Sequence, residues 1–119
     1  MENLRQILLR HGFSFKKQFG QNFISDANLL KSIVAAAGVD GQSAVLEIGC
    51  GAGTLTRELS AAAGRVLGYE IDQKLAPVLE ETLAGCGNVK VVFADFLRAD
   101  LRGIERELGP YTVVANLPY

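Results

Sequence analysis

A short apolar run, Ala44-Val45-Leu46-Glu47-Ile48, leads without a break into Gly49-Cys50-Gly51-Ala52-Gly53. A run this short and continuous suits a strand covered on both faces of a parallel sheet. The positions that follow return to helical spacing from Thr54 to Ala63, with Leu55 and Leu59 four apart and Gly64 as the stop. Strand, glycine turn and helix are specified in one stretch, and any fold for this chain has to accommodate that unit.

The rest of the chain repeats the alternation. Ser25 and Asp26 can cap a helix whose apolar positions are Leu29, Leu30, Ile33, Val34 and Ala37, with Gly38 ready to end it. Arg65 to Tyr69 reads as a second strand, and Asp72 caps a helix through about Leu83 whose first turn Pro77 makes irregular. Val89 to Phe93 is a third strand, Leu101 to Leu108 a short helix, and Tyr111 to Ala115 a fourth strand. Parallel neighbours cannot be joined by a tight hairpin, so the alternation predicts a doubly wound α/β sheet with right-handed crossovers. The chain stops four residues beyond its fourth strand. An open apolar edge there reads as part of a longer protein and can pair between chains to give an edge-strand dimer.

With 49% hydrophobic residues in 119, the chain has material for one core. The formal charge of -1 marks no whole-surface polyanion binder, yet residues 1–25 hold Arg5, Arg10, Lys16 and Lys17 against Glu2 alone. We therefore divide the chain into a basic N-terminal arm, 1–25, and a partial cofactor-binding domain, 26–119. The arm can touch phosphates or be a solvated terminus. Cys50 and Cys86 form no CxxC pair, and no secretory-type apolar run follows Met1, which argues for a reducing, cytoplasmic setting without a disulfide. His11, the sole histidine, reads as a surface residue, and neither cysteine has a partner at metal spacing. No apolar stretch approaches the roughly 20 residues that span a bilayer.

The carboxyl end of a parallel strand is where open α/β sheets bind ligands. Gly49 and Gly51 lack the Cβ atoms that would clash where the backbone turns and a ligand approaches, and Gly53 lets the helix start close by. A turn needing glycine for conformation alone is the plain alternative. Three glycines at alternate positions beside an acid, between strand and helix, favour a nucleotide-type cofactor instead. The nicotinamide fingerprint wants G-x-G-x-x-G, but Thr54 follows Gly53, and a carboxylate at Glu47 suits a positively charged methionine group better than a pyrophosphate. Glu70, 21 positions after Gly49, is in reach of a ribose. Asp95, after the third strand, can accept from an adenine amino group with Phe96 packed on the ring. The fourth strand runs into Asn116-Leu117-Pro118-Tyr119. Pro118 holds Leu117 extended, so the Leu117 carbonyl and the Asn116 side-chain carbonyl can converge on one amino group while Tyr119 stacks on a base taken out of its helix.

These motifs carry a resemblance. Lys16 to Ile24 (Lys-Lys-Gln-Phe-Gly-Gln-Asn-Phe-Ile), then Glu47 to Gly53, Glu70, Asp95 and Asn116 to Tyr119, agree in order and spacing with the KsgA and Erm type of ribosomal RNA adenine N6-dimethyltransferases. The Gly-Gln-Asn-Phe and Ala-Asn-Leu-Pro-Tyr segments resemble the small-subunit branch more than the antibiotic-resistance branch. The resemblance covers nearly the whole chain and implies a Rossmann-like class I methyltransferase fold, truncated after the fourth parallel strand. It also implies S-adenosyl-L-methionine as cofactor and small-subunit ribosomal RNA, in the immature small ribosomal subunit, as partner. Asn22 and Ile24 would then contact the methionine end of the cofactor, Gly49 and Gly51 its close backbone approach, Glu70 its ribose and Asp95 its adenine. Asn116, with Leu117, Pro118 and Tyr119, would orient the target amine. Relatives continue into further strands, a later aromatic motif and a helical RNA-engaging domain, which implies that this chain binds cofactor without being active alone. The rival readings are a noncatalytic RNA or ribosome-binding module using Arg10, Lys16 and Lys17, and a nicotinamide half-domain.

Overall fold

Asp26 accepts hydrogen bonds from the backbone N–H groups of Asn28 (2.9 Å) and Leu29 (3.2 Å), so the first helix of the main domain starts where its cap predicts. A computed structural model describes residues 4–12 and 26–115. The elements are α1 (Leu4–Arg10), α2 (Ala27–Ala37), β1 (Ala44–Ile48), α3 (Thr54–Ala62), β2 (Arg65–Glu70), α4 (Ala76–Thr82), β3 (Val89–Phe93), α5 (Leu101–Leu108) and β4 (Thr112–Ala115). Helix α2 ends at Gly38, whose φ of 66° is left-handed, as its stop signal requires. Pro77 sits in the first turn of α4, behind a 3-10 turn at Gln73–Leu75 that Asp72 caps. The irregular start predicted from Pro77 is this change of helix type, since proline is tolerated only where its missing N–H would have no partner.

The four strands form one parallel sheet in the order β3-β2-β1-β4. Register pairs Leu46 with Leu67 and Val113 on one face, and Val45 with Val66 and Thr112 on the other. On the second face Val45 and Val66 pack with Leu30, Leu55 and Leu59 of α2 and α3. On the first, Leu46 and Leu67 pack with Ile104 of α5. Both faces of the central strands are thus covered, the condition that makes their sequences continuously apolar. Strand β4 lies at an edge of the described sheet, and Val113 is 53% exposed on the α5 side.

The N-terminal arm contains structure that its charge did not announce. Helix α1 buries Leu4, Ile7 and Leu8 in a cluster with Cys50, Ala52, Leu75, Val78 and Leu79. Its end is held to α4 by Glu81, which pairs with Arg10 and accepts a hydrogen bond from His11 Nε2 at 2.8 Å. Both partners hold the exposed Glu81 carboxyl below its ordinary range, His11 first and Arg10 second. A seven-residue helix is marginal alone, so α1 is stabilised by the apolar face it buries. Replacing Leu8 with Ala is expected to cost about 2–5 kcal/mol in denaturant unfolding. A loss under about 0.5 kcal/mol, the range of surface substitutions, would show that α1 is not part of the core.

Candidate functional site

The glycine turn is fastened to the end of β2 at three points. Gly49 N–H donates to the Tyr69 carbonyl at 2.8 Å, Cys50 N–H to the same oxygen at 3.3 Å, and Gly51 N–H to Glu70 Oε1 at 2.8 Å. Gly49, Gly51 and Gly53 have φ of 85°, 58° and 88°, the left-handed region that glycine enters without steric cost. Gly53 is also a close approach, because a Cβ there would stand 2.7 Å from Leu79 Cδ2. The turn therefore needs its glycines both for conformation and for packing α3 against α4.

Glu70 is buried at the end of β2, and its other oxygen, Oε2, accepts from Asp72 N–H at 2.9 Å. One carboxylate thus ties the turn to the exit of the second strand. Asp95 lies two residues beyond the end of β3, where Oδ1 accepts from Leu97 N–H at 3.0 Å and caps a 3-10 turn over Phe96–Arg98. Oδ2 of Asp95 takes no partner among the described residues. Both acids lie at the same carboxyl edge of the parallel sheet as the glycine turn, and Glu70 is bonded to it.

Glu47 departs from its expected place, beside the turn and open to a positively charged group. It faces inward at 1% exposure, accepts a hydrogen bond from the Thr56 hydroxyl, and is pushed up to about 7, chiefly by burial. Its position is one before the end of β1, on the face packed against α3, so it lies beneath the turn rather than in the crevice. Cys50 is buried beside it, and burial, followed by the Glu47 charge, raises the thiol well above its ordinary range, which leaves no nucleophilic thiolate at neutral pH.

Phe96 also departs. The 3-10 turn directs it inward, edge-on to Tyr69 with ring centroids 5.2 Å apart, where it joins the core on the α5 face. The apolar groups left exposed at this edge are Ile71 (67%), directly after Glu70, and Leu97 (91%), two residues after Asp95. Sequence reasoning singled out neither. The available signal was an aliphatic residue one or two positions after each strand-end acid, where exposure is costly without an apolar partner. Asn22, Ile24, Lys16 and Lys17, and the whole of Asn116, Leu117, Pro118 and Tyr119, lie outside the described residues.

Among the described residues no group of histidines, cysteines and acids could hold a metal ion, and no helix is long and apolar enough to cross a membrane. The sequence profile of the ribosomal RNA adenine dimethylases matches residues 12–119. The chain belongs to that family. A relative from Geobacillus thermodenitrificans named ribosomal RNA small subunit methyltransferase A is 46% identical over 97% of this chain, which spans 41% of that relative's length. Among solved structures, the 23S ribosomal RNA methyltransferase ErmE is 40% identical with a TM-score of 0.69, over 82% of this chain and 38% of that one. An RNA methyltransferase from Salinibacter ruber, crystallised with S-adenosyl-L-homocysteine, shares the fold at 22% identity and a TM-score of 0.60, covering 78% of this chain and 76% of its own. The architecture is therefore the Rossmann-like methyltransferase fold.

Burial of Glu47 has a measurable consequence. A carboxyl whose folded value is raised binds more protons folded than unfolded, so its contribution to stability is best below about 4.5 and worsens as pH rises through 7. Glu47→Gln keeps an acceptor for Thr56 and removes the charge. Urea unfolding at pH 8 is expected to show the variant more stable than the parent by up to roughly 3 kcal/mol, with the gain vanishing below about pH 4. A difference independent of pH would contradict a buried, proton-holding Glu47.

Proposed function

We propose that this chain carries the S-adenosyl-L-methionine site of an enzyme that dimethylates adenine N6 in small-subunit ribosomal RNA. The single observation that carries the reading is Glu70, buried at the end of β2 and bonded to Gly51 of the glycine turn at 2.8 Å. The residues present fit an adenosyl group. Each Glu70 oxygen takes one backbone N–H, and a carboxylate offers about four lone-pair sites, so acceptors remain for both hydroxyls of a ribose. Ile71 and Leu97 offer apolar surface for a planar base, and Asp95 Oδ2 an acceptor for its amino group.

Bound there, the cofactor would supply an electrophilic methyl group on a sulfonium. The chain's residues then act by position. Asn22 and Ile24 would hold the methionine end, and Gly49 and Gly51 would let the ligand lie close to the backbone. The Asn116 side-chain carbonyl and the Leu117 carbonyl, fixed by Pro118, would accept both protons of the target amine. Adenine's amino lone pair is delocalised into the ring, and accepting both protons favours a pyramidal nitrogen that presents the pair to the methyl group. Tyr119 would stack on the extruded base. The methylated ammonium loses its proton to water, so no residue is assigned as general base.

Greater identity over more of the chain to a small-subunit enzyme than to a 23S enzyme favours small-subunit RNA, within the immature subunit in the cytoplasm, as substrate. A noncatalytic RNA-binding module is less well supported, because Arg10 already pairs with Glu81.

Calorimetry should give saturable, weak binding of S-adenosyl-L-methionine and none of a nicotinamide dinucleotide, with Glu70→Ala lowering affinity at least tenfold, about 1.4 kcal/mol. The same 119-residue chain should transfer methyl groups to small-subunit RNA at a negligible rate. Dinucleotide binding, salt-sensitive RNA affinity with no cofactor binding, or efficient turnover by this chain alone would each contradict the proposal. For the β4 edge, sedimentation should show self-association that rises with concentration and weakens in Val113→Lys, since lysine on an edge opposes pairing. A monomer at all concentrations would rule out the edge-strand dimer.

A further inference from the structure

Gly68 lies in the middle of β2, where its φ is that of an ordinary strand, so neither a turn nor a left-handed conformation accounts for it. Glycine inside a strand weakens it and marks a place where something approaches closely. Here the approaching atom is the sulfur of Cys50, the residue between the first two glycines of the turn. A Cβ built on Gly68 would stand 2.3 Å from Cys50 Sγ, whereas its next neighbours, Val91 Cγ2 and Lys90 O, would be at 3.9 and 4.0 Å. Those are ordinary contacts. The sulfur alone fills the space a side chain would need.

The sulfur has little freedom to move aside. Cys50 is 5% exposed and packs in the cluster that holds Leu8, Leu75 and Leu79, with Glu47 and Thr56 beside the thiol. The backbone around it is pinned by the amides of Gly49 and Cys50 on the Tyr69 carbonyl and of Gly51 on Glu70. Displacing the thiol upward means lifting these amides from β2. The contact therefore links the interior of the sheet to the surface that faces the ligand.

We propose that Gly68 is a positioning residue of the cofactor site, leaving a socket for the Cys50 sulfur that sets the height of the glycine turn over β2 and, through Gly51, the orientation of Glu70. The inference rests on the cofactor reading above. Gly68 itself lies beneath the turn and acts through Cys50. Moving one heavy atom from residue 50 to residue 68 should preserve the packing, because a methyl group on residue 68 would occupy the space that Cys50→Ala vacates.

The test is a double-substitution cycle on the full chain, read by calorimetry with S-adenosyl-L-homocysteine and by amide hydrogen exchange without ligand. Gly68→Ala should lower affinity at least tenfold in the parent and less than threefold in a Cys50→Ala background. Exchange at the Gly49 and Gly51 amides should quicken in Gly68→Ala and return toward the parent rate in the double variant. If Gly68→Ala fails to fold, recovery of folding in the double variant supports the socket, and failure to recover it overturns the proposal. Equal losses in both backgrounds, or no loss in either, also overturn it. If the parent binds no adenosyl ligand, the cofactor reading and the positioning role fall together. Coupled exchange rates would then establish the steric contact alone.

Discussion

The glycine turn depends for its shape on the hydrogen bonds that hold it against the end of β2. Gly49 and Cys50 donate to Tyr69, and Gly51 donates to Glu70. Each of the three left-handed glycines has more conformational freedom to lose than any other residue would, so without these bonds the turn would not hold one shape. The Gly51 to Glu70 bond has a charged acceptor with little access to water, and such bonds exceed the neutral average in strength. Glu70 thus serves the fold itself, tying the turn to the exit of β2 through both of its oxygens.

Support comes from below and from the side. The cluster of α1 and α4 packs Leu8, Leu75 and Leu79 under Cys50 and Ala52, while Glu47 and Thr56 form a buried polar contact at the foot of α3. A buried acid that keeps its proton near neutral pH avoids the full cost of burying a charge, and the Thr56 hydroxyl satisfies one of its oxygens. Asn88 fixes the opposite end of the sheet by donating to the carbonyls of Ser60 (2.9 Å) and Ala63 (3.1 Å), which joins the end of α3 to the start of β3. The carboxyl edge of the sheet can be irregular because the layers behind it are not.

The alternation of elements was legible because each unit carries its own period and its own punctuation. Asp26 and Gly38 bound α2, and Ala44–Ile48, Val89–Phe93 and Leu101–Leu108 fall where their apolar runs place them. Helix α1 was not legible, because Arg5 and Arg10 dominate a segment whose apolar residues only acquire meaning against α4. At the candidate site, the positions of Gly49, Gly51, Glu70 and Asp95 just at or beyond strand ends were legible from the periodicity of the strands before them. Glu47 and Phe96 were misplaced because one-dimensional spacing does not say on which side of a strand end or 3-10 turn a side chain falls. The role of Gly68 needed a distance between two residues 18 positions apart, which no periodicity encodes.

The central claim is that the glycine turn, Glu70 and Asp95 form one adenosyl-binding crevice. Backbone amide resonances followed during titration with S-adenosyl-L-methionine test it most directly. The account predicts that saturable shifts concentrate at Gly49 to Gly53, Glu70 to Asp72 and Asp95 to Leu97, with the amides of α5 and the β3 edge unmoved. Shifts centred elsewhere, or confined to only one of those three segments, would contradict it.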